Sequence, residues 1–411
     1  MTKAYRLRAA SALASILSVA ILTNLPALAQ KKYDTGANDT EIRIGNINPY
    51  SGPASAYGTI GRTLEAYFKK VNAEGGLGGR KIKFVSYDDG YSPPKTVEQA
   101  RKLVESDEVL FIFQSLGTAH NSAIQRYMNV KKVPQLFVAT GATKFGDWKT
   151  FPWTMSWNPS YQSEGRIYAK YILQNYPNGK LAVLYQNDDF GKDLLQGLKD
   201  GLNGKTGMIV AEAPYETSAP TIDSQIVQLK ASGADVFLNI ATPKFAAQAI
   251  RKVAELGWKP VHFLNNVAIS VGAVLSPAGL ENSKDILSTG YIKEQTDETW
   301  KDDPGMKKWN AFMDKYYPEG DKASSFTSYG YSVAQLLVQV LQQCGNELTR
   351  ENVMKQAASV KDFKPDLLIP GIAINTGPQD YFPIEQLQMM KFDGKRWQFF
   401  GPVLDGNLGS G

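Results

Sequence analysis

The stretch Glu41–Gly90, EIRIGNINPYSGPASAYGTIGRTLEAYFKKVNAEGGLGGRKIKFVSYDDG, constrains the fold more than any other part of the chain. It reads as a strand, a loop of small residues, a helix, a glycine turn and a second strand. Ile42, Ile44 and Ile47 suit a buried strand, and Tyr50-Ser51-Gly52-Pro53 stops it. Leu64, Phe68 and Val71 recur at i, i+4 and i+7, which puts one apolar stripe on a helix. Gly75-Gly76 ends that helix, because glycine takes the left-handed conformation without steric cost. The unit is βαβ, and its first loop lies at the carboxyl end of a strand, where open α/β sheets receive ligands.

The alternation continues. Leu110–Phe113 and Gln135–Val138 read as strands around a helix from Ala119 to Val130. After the irregular segment Phe151–Pro159 the pattern restarts: strand Leu181–Tyr185, polar loop Asn187–Gly191, helix Lys192–Leu202. Thr221 can cap a helix with Ile222, Ile226 and Leu229 on its buried stripe. Val236–Ile240 and Val261–Leu264 are further strands around the amphipathic helix Phe245–Leu256. Residues 300–358 read as mainly helical, and two strand-like pieces, Gln386–Lys391 and Trp397–Phe400, flank the turn Asp393-Gly394. Strands this apolar, alternating with helices, predict an α/β fold of two Rossmann-like lobes, each with a parallel sheet flanked by helices.

Residues 1–29 have the anatomy of an export signal. Lys3, Arg6 and Arg8 precede the apolar run Ala9–Leu22, and Ala27-Leu28-Ala29 offers a small-x-small cleavage site. The apolar run is shorter than the ~20 residues a membrane-spanning helix needs. Cleavage after Ala29 leaves 382 residues with 42 basic and 40 acidic side chains, enough chain for two domains and too balanced for a nucleic-acid partner. The one cysteine, Cys344, sits in the apolar run LLVQVLQQC and reads as an inert buried thiol.

Enzyme signatures fail on inspection. Gly204-Lys205-Thr206 resembles the end of a phosphate-binding loop, but the motif's first glycine would fall at Lys199. No G-x-S-x-G nucleophile turn exists, and the two histidines, His120 and His262, have no metal-ligand spacing. Neither a metal nor a cofactor is expected. What remains is a set of small and hydroxyl residues at strand ends: Gln114-Ser115-Leu116-Gly117-Thr118 after one strand, Gly141-Ala142-Thr143 after the next. Glycine lets the backbone approach a ligand, free amides at a helix start favour an anion, and a threonine hydroxyl adds a neutral donor. Such a pocket suits a carboxylate, although the same threonines would also serve as plain helix caps.

Three pieces of the chain together resemble the leucine/isoleucine/valine-binding family of periplasmic solute receptors: the loop SGPASAYG, the helix end NAEGGLGGRKI, and YDDGYSPPKTVEQARKLVES. The resemblance runs on more weakly to about Gly394. It implies two lobes joined by three crossings, near Ser156–Pro159, Tyr291–Glu294 and Asn375–Gly377. Lobe 1 is then 30–156 with 293–375, and lobe 2 is 157–292 with 376–411. Matching by position assigns Gly117, Thr118, Gly141, Ala142 and Thr143 to the carboxylate, and Tyr57 and Phe190 to aromatic walls from opposite lobes. Trp157, at a crossing, either looks into the cleft or packs in the hinge.

The chain also departs from the family's pattern. Members that bind amino acids place an acid on the second lobe against the ligand's ammonium; in the matching segment Phe263–Ala268 that place falls to Val267, beside Asn266. A family tyrosine is Thr242 here. Burying an ammonium without a counter-charge is costly, so the expectation is a hydrophobic or aromatic carboxylate without an amine. The resemblance thus implies a monomeric periplasmic receptor that hands a small carboxylate to an ABC permease in the inner membrane. The alternatives are a receptor for branched-chain amino acids themselves and a soluble co-receptor for signalling.

Overall fold

The computed structural model describes residues 31–406; the export segment, its cleavage point and residues 407–411 lie outside the described residues. From the amino end come β1 (Lys32–Tyr33), β2 (Glu41–Asn48), α1 (Gly58–Ala73), β3 (Lys81–Asp88), α2 (Pro93–Glu105), β4 (Phe111–Phe113), α3 (Thr118–Lys131), β5 (Gln135–Val138) and β6 (Thr154–Ser156). Next follow α4 (Tyr161–Asn175), β7 (Leu181–Gln186), α5 (Asp189–Gly201), β8 (Ile209–Tyr215), α6 (Asp223–Ala231), β9 (Val236–Ile240), α7 (Pro243–Glu255), β10 (Val261–Leu264), the single turn α8 (Ser276–Ala278) and β11 (Leu287–Gly290). The chain closes with α9 (Pro304–Tyr316), α10 (Ser325–Cys344), β12 (Glu347–Leu348), α11 (Arg350–Ala357), β13 (Gln386–Phe392) and β14 (Trp397–Asp405).

Two large sheets result. The first has strand order β3-β2-β4-β5-β6, with every pairing parallel and β2 in register with β3 from Glu41↔Lys81 to Asn48↔Asp88. Alternate residues of β4 enter different cores: Phe111 and Phe113 join the large core, with the Phe113 ring 6.2 Å from Phe68 of α1, while Ile112 joins a smaller core with Leu103 of α2 and Ile124 of α3. Period-two alternation in a strand covered on both faces produces this division. At the end of α1, the amides of Gly75 and Gly76 bond back to Asn72 and Val71, with φ of 108° and 79° at the two glycines. This is the left-handed stop that the glycine pair predicts.

The second sheet, β14-β13-β11-β10-β9-β7-β8, has the expected parallel body and adds an antiparallel edge. β7 to β11 are parallel, but β13 runs antiparallel to β11 and β14 antiparallel to β13. The tight turn at Asp393 makes β13 and β14 a hairpin, which sets those two strands antiparallel to each other. Ile222, Ile226 and Leu229 are fully buried where α6 packs on β7, β8 and α7, as the periodicity predicts. Asp223 donates its amide to the Thr221 hydroxyl at 3.2 Å, so the polar start of α6 is also where expected.

One boundary moves. The loop predicted at Asn187–Gly191 is shorter, because Asp188 accepts hydrogen bonds from the amides of Phe190 and Gly191 and starts α5 there. An Asp in extended conformation satisfies the unpaired amides of a first turn, and it places Phe190 on the helix. Among the described residues no helix is long and apolar enough to cross a membrane. Cys344 is buried, and that burial pushes its thiol up to about 12, well away from reactive thiolate chemistry.

Candidate functional site

In the first sheet the strand order reverses between β2 and β4, and in the second between β7 and β9. The loops leaving these strands must part in opposite directions, which opens a crevice at each switch point. The two crevices share one cavity of about 80 Å³, room for several waters or one small ligand. Tyr57 and Leu116–Thr118 line it from the first switch point, Phe190 and Thr242 from the second. Tyr57 stands edge-on to Phe326 of α10 and Phe190 edge-on to Tyr161 of α4, with ring centroids 5.0 Å apart in both pairs. The two walls also touch directly: Tyr57 donates its hydroxyl to the Val267 carbonyl at 3.0 Å, and Gln186 donates to the Tyr91 hydroxyl at 3.3 Å.

The start of α3 opens on the cavity. Gln114 takes φ 57° and Gly117 φ 100°, so the chain turns sharply between β4 and the helix. No side chain caps α3, which leaves its first-turn amides without an intrahelical or side-chain acceptor. The Thr118 hydroxyl lies 2.6 Å from that of Thr140 and reaches the same wall. Amides and a hydroxyl at a helix start suit a carboxylate.

Gly141, Ala142 and Thr143 do not line the cavity, which corrects their expected placement. Gly141 lies so close to the Pro159 carbonyl and the Tyr161 ring that a Cβ would collide with both. Ala142 is buried, its amide donating to the Thr140 hydroxyl at 3.2 Å. Thr143 donates its amide and its hydroxyl to Asp193 Oδ2 of α5, at 2.8 and 2.9 Å. With the Lys144–Asp189 ion pair at 2.9 Å, Thr143 therefore ties the loop after β5 to α5. Trp157 is also off the cavity: it is fully buried, edge-on to Tyr291 and Tyr329 at 6.5 and 6.2 Å.

Thr242, Asn266 and Val267 do line the wall, but their polar groups are engaged. Thr242 bonds to Tyr215 and Gln186, and Asn266 donates its side-chain amide to the Thr289 carbonyl. The backbone amide of Asn266 donates to Glu164 Oε1 at 2.6 Å, which also accepts from the Tyr168 hydroxyl at 2.7 Å. Glu164 is buried, and desolvation pushes its carboxyl up to about 7 despite those two bonds. The folded protein therefore holds this proton up to about pH 7, whereas the unfolded chain releases it near 4.5. Through this group, stability falls as pH rises across that window. Glu164→Gln should remove this group's share of the slope and leave that of Glu294, which burial also raises to about 7. Urea unfolding of both proteins at several pH values from about 4.5 to 7.5 checks this; parallel stability curves would contradict it.

Sequence reasoning missed several wall residues. Tyr91, Tyr161, Tyr291, Phe326 and Tyr329 bring five more rings to the cavity, and Glu294 brings the one carboxyl among its lining residues. The segment Tyr291–Glu294 stands out in the sequence, but no local pattern tells which of its side chains line a cavity. Among the described residues no cluster of metal-ligating side chains exists. His262 packs on Phe237 at 4.7 Å, and burial drives it down to about 3, so it stays neutral.

A family model for periplasmic binding proteins matches residues 41–396. A Leu/Ile/Val-binding protein homolog 2 of Brucella abortus is 26% identical over 380 residues, covering 89% of this chain and 95% of that one. A homolog 1 of Brucella suis is 26% identical over 342 residues, covering 81% and 87%. Among solved structures, a branched-chain amino acid ABC transporter protein from Thermus thermophilus with bound valine superposes with TM-score 0.80 at 16% identity, covering 90% and 97%. A fatty acid ABC transporter substrate-binding protein from Thermomonospora curvata superposes with TM-score 0.77 at 22% identity, covering 91% and 95%.

Proposed function

The chain belongs to the periplasmic binding protein family, in its leucine/isoleucine/valine-binding branch, and on that premise we propose that it captures a small hydrophobic or aromatic carboxylate between its lobes. The family consists of solute-binding proteins that work with ABC transporters. The reading goes further: after cleavage behind Ala29 the protein acts in the periplasm as a monomer, closes by hinge bending and delivers its ligand to an ABC permease. The lobe boundaries that go with it are 156/157, 292/293 and 375/376.

One observation carries the ligand class: an uncapped helix start with the Thr118 hydroxyl, opening on a cavity walled mainly by aromatic and aliphatic side chains. The first feature matches a carboxylate and the second an apolar body. Valine and a fatty acid, the solutes named for the two superposed proteins, share this pair of features. In the bound state Tyr57 and Phe190 cover the apolar body from the two lobes, and the Thr143–Asp193 contact holds the lobes together.

Calorimetric titration with a panel of leucine, valine, phenylalanine, fatty acids and benzoate-type acids tests the reading. Thr118→Val should weaken binding of the responding acid by about 1.5–3 kcal/mol, the range for a hydrogen bond to a charged group. An unchanged affinity would place the carboxylate elsewhere, and a panel without a single binder would end the carboxylate reading.

A further inference from the structure

Beside the cavity lies a second, more open pocket of about 500 Å³. It is formed by Gly52-Pro53 after β2, residues 217–220 after β8, and Lys244 in the first turn of α7. Among the described residues Tyr91 alone lines both spaces. The two differ in character. The inner one is walled mainly by rings and aliphatic side chains, while the outer one carries Thr217, Ser218 and Lys244.

Tyr91 is held at this boundary from three sides. Its φ of 60° is uncommon for a residue with a side chain, and Asp89 Oδ1 fixes the turn by accepting its amide at 2.9 Å. Asp89 is itself fully buried and accepts from the Thr96 hydroxyl of α2 at 2.7 Å. The Tyr91 ring packs at 4.1 Å on His120 of α3, and its hydroxyl accepts from Gln186 of β7 at 3.3 Å. Backbone in a sparsely populated region persists only where its surroundings over-determine it, and such residues gather at ligand sites. His120 follows Thr118 by two residues on the same helix, so the ring is fixed relative to the start of α3.

We propose that Tyr91 is the partition that limits the length of the ligand. The inference rests on the carboxylate reading above and adds a size limit to it. The way from the inner cavity into the outer pocket leads past this ring. An acid that outgrows the inner cavity must push the ring off His120 and break the Gln186 bond to reach the outer space. Each methylene buried before that point strengthens binding, and each one beyond it does not.

Calorimetric titration of straight-chain acids from butanoate to dodecanoate into the full mature chain and its variants reads the limit. In the wild type, affinity should rise about fourfold per methylene, as burial of each CH₂ gives, up to a break, and then stay level or fall. Tyr91→Gly removes the ring and leaves a residue at ease with this backbone, so the rise should continue for about two or more further carbons. Tyr91→Asn, which also tolerates a positive φ, gives a second ring-free protein. Tyr91→Phe keeps the ring and loses only the Gln186 bond, so its series should break where the wild type does. The break is read within each protein, so a uniform loss of affinity does not move it; thermal melts confirm that the variants fold. A break at the same length in both ring-free variants, or a wild-type affinity that climbs unbroken to dodecanoate, overturns the inference and leaves the carboxylate reading standing. If no acid binds any of the proteins, the carboxylate reading falls, and the inference with it.

Discussion

Replacing Gly117 by alanine should weaken ligand binding by about a hundredfold or more, the largest single effect expected at the site. Gly117 takes φ 100°, a region that an L side chain occupies only under strain. A Cβ there would also collide with the His120 ring, which is buried and packed at 4.1 Å on Tyr91. Either the turn or the ring must move, and both carry the α3 amides and Thr118 away from the cavity. Losing two hydrogen bonds to a carboxylate, each about 1.5–3 kcal/mol, gives the hundredfold estimate. The fold should survive, because backbone strain of this kind costs on the order of 1–3 kcal/mol. Titration of the variant checks it; wild-type affinity in a folded Gly117→Ala protein would mean that this turn does not meet the ligand.

The largest effect on stability should come from Gly165 of α4. A Cβ at that position would lie 2.5 Å from both the Leu194 carbonyl and the Leu198 amide of α5, and the reciprocal Gly197 would strike Gln162. The two helices meet backbone to backbone, and no flexible side chain is available to yield. Glycine costs a helix interior about 1 kcal/mol relative to alanine, so alanine would stabilise an isolated α4. Overpacking costs typically 1–3 kcal/mol and opposes that gain. Backbone contact on both sides puts the penalty at the upper end, so Gly165→Ala should lose about 2 kcal/mol net. Gly165→Leu should prevent stable folding. Denaturant unfolding decides it, and an alanine variant as stable as the wild type would show that α4 and α5 can separate without cost.

Much of the fold is legible where one physical signal acts alone. Ile42 and Ile44 against Ile47, the Gly75-Gly76 stop, and the Ile222, Ile226 and Leu229 stripe each follow from periodicity or from a glycine's freedom. The signal fails where a side chain redefines a boundary. Asp188 caps α5 and draws Phe190 out of the predicted loop. β8 escapes notice because it is an edge strand with mixed burial, so its residues carry no continuous apolar run.

The site divides in the same way. Tyr57, Gly117, Thr118, Phe190 and Thr242 follow strands at the two switch points, so topology places them on the cavity. Thr143 has the right chemistry one loop further along, but Asp193 of α5 takes both of its donors. That competition depends on a helix 50 residues away in sequence, which no local pattern reveals. Glu294 is invisible for a related reason. Its neighbour Lys293 pairs with Asp303 while Glu294 accepts from Thr296, and only the packing of this segment separates the two.

Native mass spectrometry of protein purified from the periplasm tests the central claim most directly. The mass released on denaturation identifies any compound carried through purification, without a guess at its identity. A small organic acid with an apolar body, absent from Gly117→Ala protein prepared in parallel, is the predicted result. A carried compound with no carboxyl group, such as a sugar or a simple amine, would contradict the account.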